Sequence, residues 1–566
     1  MGIFRGRLKA TAGLAVLLCC AAASAQQATP QPGRDRPLPE AAPTPDLDFT
    51  IQAPRRSPVP RAVEELTFDV KDVHFTGATR YGQDVLHPMV EPVLGKTVHL
   101  NDLIAIAEAL EARYHADGYV LTRVFVPTQS VNDGIFQISV VEGYVSAVAV
   151  QGGDESTRSR IETLLAPVTR ARPLTLATLE SALLTANKLP GITASGLLRP
   201  SATEQGASEL VVTVKDNPIS GGLAADNMGS ATTGRWTTAA DVTIPSPLGD
   251  GGQVSLNAST NPRFEQILRY SAGGKYVAPL PLFDGMTYTL SAMGSHGEPG
   301  GSVSGLTLVT DSTVFGARTT LPLIVSRAAE LSLDGGITIQ SSDVQALGEP
   351  ASHDEWRVVD LALTYRNNVW EDGVTTLTLD IAQGLPSFGA TPPPALPLPD
   401  GTLPGSQHSG ISNFTKFTAQ ANRIQPIDDK LSASLLVSGQ YVNMRPVLGE
   451  EVSYGGQQIG RGYDPGAVTG DMGVGSAFEL RYDLNPSWFY ADAAQFYGFL
   501  DGGEIWNHDS ATPRNHKIAS TGAGLRVTIP GNVVVGLMYG KALVAVAGSD
   551  EDRRSSRVMI NTAVRF

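Results

Sequence analysis

From Asp216 to Phe566 the chain loses helical periodicity, and segments of about ten residues alternate apolar with polar positions between Gly, Pro, Asn and Asp turns. Such a stretch can only be satisfied by strands with two unlike faces. Val474, Phe478, Leu480, Tyr482 and Leu484 fall on one side, with Glu479, Arg481 and Asp483 opposite. Ala523, Leu525, Val527 and Ile529 likewise oppose Gly522, Gly524, Arg526 and Thr528, and Val558, Ile560, Thr562, Val564 and Phe566 oppose Asn561 and Arg565. Roughly sixteen such segments are expected, an even number as a bacterial transmembrane barrel requires. A soluble sandwich also alternates, so the connections decide. Short turns such as Asn485-Pro486-Ser487 and Pro530-Gly531-Asn532 contrast with long loops such as Pro386 to Ile411 and Asn443 to Met472. All five tryptophans (Trp236, Trp356, Trp370, Trp488, Trp506) are expected at strand ends, where an interfacial girdle belongs. The chain closes on an aromatic residue, Phe566. These features predict a transmembrane β-barrel of about 16 antiparallel strands over residues 217–566.

Beyond the N-terminus no run of apolar residues is long enough for a membrane-spanning helix, and mean hydropathy is −0.03. Arg5, Arg7 and Lys9, then apolar Ala12 to Ala23, then Ala23-Ser24-Ala25, predict a signal peptide over 1–25 with Gln26 as the first mature residue. Its loss would take the net charge from −14 to −17. Both cysteines, Cys19 and Cys20, lie inside it, so the mature chain would carry no thiol, disulfide or Cys-based metal site. Residues 26–66 are rich in proline and predict an extended linker.

Between linker and barrel the pattern is mixed. Phe68 to Phe75 reads as a strand, Tyr81 to Leu94 and Leu100 to Asp117 as helices, Tyr119 to Val126 and Ile135 to Val141 as strands. Leu103, Ala107, Leu110 and Tyr114 recur at helical spacing, and Gly118 suits a left-handed helix end. The order then repeats: Val145 to Val150, helices Arg158 to Leu165 and Leu176 to Leu189, and strands Ile192 to Leu198 and Glu209 to Val214. Two successive α+β modules are expected, over 67–143 and 144–216.

At this point the chain resembles the TpsB transporters of two-partner secretion, which export haemolysins and adhesins, within the superfamily of barrels preceded by POTRA domains. The resemblance covers about residues 67–566 and rests on four segments: the two modules, the hairpin Asp226 to Arg235, the turn Ser246-Pro247-Leu248-Gly249-Asp250-Gly251-Gly252, and a pair of short motifs. Gly460-Arg461-Gly462-Tyr463-Asp464 is similar to the superfamily's Val-Arg-Gly-Tyr loop tip, with Gly460 where valine is usual. Phe499-Leu500-Asp501-Gly502-Gly503 is similar to its Phe-x-Asp-x-Gly strand motif.

The resemblance implies an outer-membrane pore, with its POTRA domains in the periplasm, that recognises and secretes a large unfolded β-rich exoprotein. It implies partnership with that cargo, with outer-membrane lipid, and during biogenesis with the barrel-assembly machinery and periplasmic chaperones. An insertase of the same superfamily is the alternative, although it usually carries more POTRA domains. Loop 443–472 is expected to fold inward, anchored by Gly460, Arg461, Gly462, Tyr463, Asp501 and Gly503. Arg461 offers a planar fork that the Asp501 carboxylate could receive bidentately, in a lumen expected to be partly wet. Capture of cargo by β-augmentation would fall at the POTRA edge and its neighbouring helix. The resemblance maps that edge to Tyr119 to Pro127, with Tyr119, Leu121, Arg123 and Phe125 as candidates.

Other chemistry finds little support. Gly536-Leu537-Met538-Tyr539-Gly540-Lys541 is too short for a phosphate loop, and Ala542 stands where Ser or Thr is required. The nine histidines show no HxxxH or HExxH spacing, and no Gly-x-Ser-x-Gly elbow occurs. Asp250 and Asp284 fall in expected turns. No Lys/Arg cluster is dense enough for nucleic acid. Neither an enzyme, nor a metal, nor a cofactor is expected.

Overall fold

The computed structural model describes residues 49–51 and 67–566, apart from 132, 202, 205, 263–266, 301–304, 306, 388, 392–409, 509–514 and 547–555. The expected signal peptide and most of the Pro-rich segment lie outside the described residues. The described residues form two compact units, one from 49–51, 67–217 and 248–251, the other from 218–247 and 252–566.

The first unit opens with β1 (Phe49–Ile51), then β2 (Thr67–Val70) and β3 (Asp72–Thr76). The single strand expected over Phe68 to Phe75 is therefore two, broken where Lys71 and Asp72 both donate to the Gly134 carbonyl. Helix α1 (Gln83–Val90) is shorter than expected. After Pro88 it passes into one 3-10 turn, and a strand the sequence pattern missed, β4 (Lys96–His99), pairs antiparallel with β2. Helix α2 (Leu100–Ala116) starts where the Asp102 carboxylate accepts the His99 N–H at 2.8 Å. It buries Leu103, Ala107, Leu110 and Tyr114 against Phe136 and Ile138, and Gly118 follows it at φ 89°. Strand β5 (Arg123–Phe125) is much shorter than Tyr119 to Val126. Tyr119 and Thr122 instead donate to Tyr114 and Tyr119 carbonyls, continuing the turn that ends α2. Strand β6 (Ile135–Val141) lies between β3, parallel, and β5, antiparallel.

Apart from the β2–β4 pair, the second half repeats the order: β7 (Tyr144–Gln151), α3 (Glu155–Arg170), α4 (Leu176–Asn187), β8 (Ile192–Pro200) and β9 (Ala207–Asp216). Asp154 caps α3 by accepting the Thr157 N–H at 2.7 Å, and Thr175 caps α4. The pairing also repeats, since β9 is parallel to β7 and antiparallel to β8. The proline-rich segment is not linker throughout. Phe49, Thr50 and Ile51 run parallel to Gly196, Leu197 and Leu198, covering the outer edge of β8.

Glu142 ties the first half together. Its carboxylate accepts from the Thr79 N–H at 2.7 Å, the Arg80 N–H at 3.0 Å, the Tyr114 hydroxyl at 2.7 Å and the Thr79 hydroxyl. Burial pushes its pKa up, but these donors outweigh burial and hold it below the ordinary range. A carboxylate with a lowered native pKa contributes stability that is complete above about pH 4.3 and fades as pH falls through the native value. Glu142→Gln should speed exchange of the α2 amides roughly tenfold at pH 7, about one charge-assisted hydrogen bond. The gap from wild type should close on acidification, as followed by hydrogen exchange across pH 7 to 3. A gap independent of pH would show that the charge is not the stabilising feature.

The second unit is a closed barrel of sixteen strands, each pairing antiparallel with its neighbours. They are β10 (Ser220–Asp226), β11 (Thr237–Pro245), β12 (Gln253–Thr260), β13 (Leu268–Pro279), β14 (Thr287–Glu298) and β15 (Val309–Val325). Then follow β16 (Ala329–Ala346), β17 (Glu349–Asn367), β18 (Val374–Gly384), β19 (Thr415–Pro426) and β20 (Leu431–Val442). A long loop carrying the small hairpin β21 (Val452–Tyr454) and β22 (Val468–Gly470) intervenes. Strands β23 (Met472–Asp483), β24 (Ala493–Trp506), β25 (Asn515–Ile529), β26 (Val533–Ala542) and β27 (Ser556–Arg565) complete the wall, and β27 returns to β10. Val474, Phe478, Leu480 and Tyr482 are exposed on the outer face, whereas Ala477 and Glu479 between them are buried on the inner one.

Two sequence expectations need correction. Strands β15, β16 and β17 have 17, 18 and 19 residues, beyond the roughly 9–11 that cross a bilayer. The β16–β17 connection on the loop side is only Leu347-Gly348, both at positive φ, which is a primed hairpin turn. Trp356 is not at a strand end. It lies within β17 on the inner face, buried against Phe414, Val442 and Val447, and its indole donates to Glu450 at 3.0 Å.

Candidate functional site

The loop between β20 and β23 turns back on itself at a glycine-rich tip. Gly455 donates to the Ile459 carbonyl at 2.9 Å, and Tyr463 donates to that of Gly460 at 2.9 Å. Gly460 has φ 90°, and a Cβ there would lie 2.5 Å from the Ile518 Cδ1 atom, so a valine could not take its place without local rearrangement. Ile518 and the preceding Ile459 supply the apolar contact beside it. Gly462 brings the tip against the backbone of β26, where a Cβ would meet the Ala542 nitrogen at 2.5 Å.

Between these glycines Arg461 reaches the inner wall. Its Nε donates to Asp501 Oδ2 at 2.8 Å, and its Nη1 to Glu479 Oε2 at 2.6 Å. Its guanidinium carbon lies 3.7 Å from the centroid of the Phe499 ring. The fork is therefore not bidentate on Asp501; it is divided between two carboxylates from neighbouring strands. Ala477 faces Asp501 in the β23–β24 ladder, so Glu479, two residues along the same face, is its diagonal neighbour. Around Glu479 gather Arg526 Nη1 at 2.9 Å and Arg481 Nε at 2.8 Å, and Asp501 also accepts the Ser520 hydroxyl. Three guanidiniums thus surround two carboxylates. Nor is the pair wet. Arg461 is 4 %, Asp501 3 % and Glu479 4 % exposed, because the loop itself excludes water from the wall.

The strand motif has a simple geometric basis. A period of two puts Phe499, Asp501 and Gly503 on one inner face. Phe499 stacks on the guanidinium, Asp501 pairs with it, and Gly503 leaves room for the Tyr454 ring, which would lie 2.7 Å from a Cβ there. Tyr463 is fully buried, and its hydroxyl donates to the Val544 carbonyl at 2.6 Å and stands 2.9 Å from that of Ala519.

The structure thus brings all six loop-anchor candidates into one region and adds Glu479, Arg481, Arg526 and Phe499, which sequence reasoning missed as partners. Glu479 and Arg481 were already legible as inward charges, but nothing local joined them to Arg461.

The POTRA-edge candidates lie in the other unit and are not equivalent. Only Arg123 and Phe125 belong to β5. Arg123 pairs with Glu111 at 2.9 Å, while Phe125 is 41 % exposed. Tyr119 packs edge-on against Tyr114 with ring centroids 5.9 Å apart, and Leu121 sits against Gly143 in the turn before the strand.

Comparison with known proteins gives a consistent result. The family model for haemolysin secretion/activation proteins ShlB/FhaC/HecB matches residues 206–527, and that for the ShlB-type POTRA domain matches residues 68–143. The outer membrane transporter CdiB of Escherichia coli is 24 % identical over 492 residues, covering 83 % of this chain and 79 % of that protein. The heme/hemopexin transporter protein HuxB of Haemophilus influenzae (strain 86-028NP) is 23 % identical over 518 residues, covering 89 % of this chain and 88 % of that one. The solved structure of CdiB from Escherichia coli superimposes with a TM-score of 0.66 at 20 % identity, covering 93 % of this chain and 94 % of that one.

Proposed function

The chain belongs to the haemolysin secretion/activation protein family ShlB/FhaC/HecB, and from that premise we propose that it is closed at rest by loop 443–472 and opened for its cargo. It is an outer-membrane pore that secretes an exoprotein by two-partner secretion, with POTRA-bearing residues in the periplasm. The cargo is a large, unfolded, β-rich polypeptide. The observation that carries the plug reading is the Arg461 fork, spread over Asp501 and Glu479 on two inner strands. A sixteen-stranded barrel otherwise encloses an aqueous channel.

Residues 67–143 and 144–216 act as two POTRA domains, and the second follows the first in element order and strand pairing. Cargo adds a strand to the edge of β5 beside Phe125. The corresponding edge of the second sheet, β8, is taken by Phe49–Ile51, while the first sheet ends on β5. In biogenesis the barrel-assembly machinery and periplasmic chaperones deliver the chain to the membrane.

A variant lacking Phe68 to Lys215 but keeping its N-terminal 25 residues tests this division. It should reach the outer membrane, stay heat-modifiable on gels, and lose binding to the N-terminal region of its cargo. Phe125→Asp in the full chain should weaken that binding at least tenfold without changing protein amount. Undiminished binding by the truncated variant refutes the assignment, and unchanged binding by Phe125→Asp moves the contact away from β5.

A further inference from the structure

The barrel closes where β27 meets β10, and this is its shortest ladder. Five residue pairs, Gly222↔Arg565 to Asp226↔Asn561, join the two strands, whereas β26 and β27 share nine, from Val533↔Val564 to Lys541↔Ser556. At the turn end Gly221 and Phe566 exchange two further backbone hydrogen bonds at 3.0 Å, and towards the loop end the Asn227 N–H donates to the Ile560 carbonyl at 3.1 Å before its side chain continues the ladder. Asn227 accepts the Ile560 N–H at 2.7 Å through Oδ1 and donates through Nδ2 to the Val558 carbonyl at 3.1 Å. Beyond that point backbone pairing between the first and last strands gives way to two charged side chains.

Arg557, on β27 and 8 % exposed, donates through Nη2 to the Gly229 carbonyl at 2.7 Å. The same nitrogen lies 3.3 Å from the Met228 carbonyl. Its Nη1 donates to the Tyr463 carbonyl at 2.7 Å, and its Nε pairs with Asp464 Oδ1 at 3.2 Å. Asp464 in turn accepts the Ala231 N–H at 3.0 Å and pairs with Arg235 Nη1 at 3.1 Å. Met228, Gly229, Ala231 and Arg235 all belong to the connection between β10 and β11. The residue pair Tyr463-Asp464 of the loop tip therefore bridges the last strand to the first hairpin, above the place where the ladder is weakest.

We infer that Asp464 and Arg557 are positioning residues that hold the β10–β27 seam shut while the loop tip is docked, so that clearing the lumen also loosens the seam. The inference rests on the plug reading only for the second clause; the static latch stands on geometry alone. The physical asymmetry is plain. The side chains of Arg461 and Tyr463 fasten the tip to β23, β24, β25 and the Val544 carbonyl just beyond β26, in a part of the wall joined by long ladders that do not need it. Asp464 fastens it across the shortest ladder of the wall, where each added charge-assisted hydrogen bond is a larger share of the total than it would be elsewhere. When the tip withdraws, Asp464 leaves with it, while Arg557 keeps its contacts to the hairpin carbonyls.

Hydrogen exchange on the purified full-length protein in lipid nanodiscs tests the latch, read at the amides of Gly222 to Asp226 and Asn561 to Arg565. Asp464→Asn and Arg557→Gln should each speed exchange there roughly tenfold, while the β15–β16 ladder is unchanged. Introducing Ala225→Cys and Thr562→Cys, which face each other across the seam, and oxidising them should restore slow exchange in Asp464→Asn. Unchanged seam exchange in both variants overturns the latch, and faster exchange in every ladder overturns it too, since that reports general loosening. The plug reading is judged by conductance instead, so each can fail without the other. The coupling is tested by Arg461→Ala, which frees the tip while leaving both latch residues in place. It should speed seam exchange as Asp464→Asn does, and slow exchange in Arg461→Ala overturns the coupling.

Discussion

Arg461→Ala should cut secretion to near background while leaving protein amount and heat-modifiability near wild type. The side chain is buried and serves two carboxylates, so its removal leaves Asp501 and Glu479 desolvated without it. Breaking a buried ion pair from one side costs about 3–5 kcal/mol, enough to shift a docked loop by a factor of a hundred or more. The barrel rests on sixteen ladders and should survive. Asp501→Ala should act in the same direction, and the double variant should be no worse than the worse single one, because both losses remove the same Arg461–Asp501 contact. Arg461→Lys separates charge from shape. A lysine keeps the charge, but one ammonium cannot span two carboxylates and stack on Phe499 as the planar fork does. Its secretion should fall close to that of the alanine variant. Normal export by Arg461→Lys would mean that the contact is only Coulombic, and normal export by both alanine variants would remove the anchor altogether.

Deleting Gly455 to Gly466 should raise single-channel conductance in planar bilayers several-fold and abolish secretion. The deleted segment carries Ile459, Gly460, Arg461, Gly462, Tyr463 and Asp464, and its apolar members pack against Leu436, Ala477, Ile505 and Ile518 on four inner strands. Without it the lumen of a sixteen-stranded wall is open to water. Secretion fails because the moving part is gone and the inner carboxylates have lost the cation that docked against them. Conductance equal to that of the intact chain would show that the loop does not obstruct the pore, whatever its other roles.

Period-two alternation is written residue by residue, so the barrel class, its sixteen strands and the inner or outer side of Phe478, Glu479 and Leu480 could be read from the chain alone. The helical stripe Leu103, Ala107, Leu110 and Tyr114 was legible for the same reason. Resemblance supplied Arg461 and Asp501 as a pair to look for. What local pattern could not supply is which strand lies beside which, and in what register. Glu479 joins Arg461 only because β23 and β24 align Ala477 with Asp501. Phe49–Ile51 becomes a strand only because β8 offers an edge 147 residues away in sequence, as Phe49 opposite Gly196 shows. Trp356 lies within a strand and not at its end because β17 runs on past the membrane thickness, and Gly460 is required because Ile518 of β25 fills the space where a side chain would stand. Arg557 and Asp464 meet because the sheet closes, bringing the last strand to the first. Sequence determined the faces of each strand, since those depend on near neighbours. Tertiary structure decided the partners across the lumen, since these depend on closure and register that no single segment encodes.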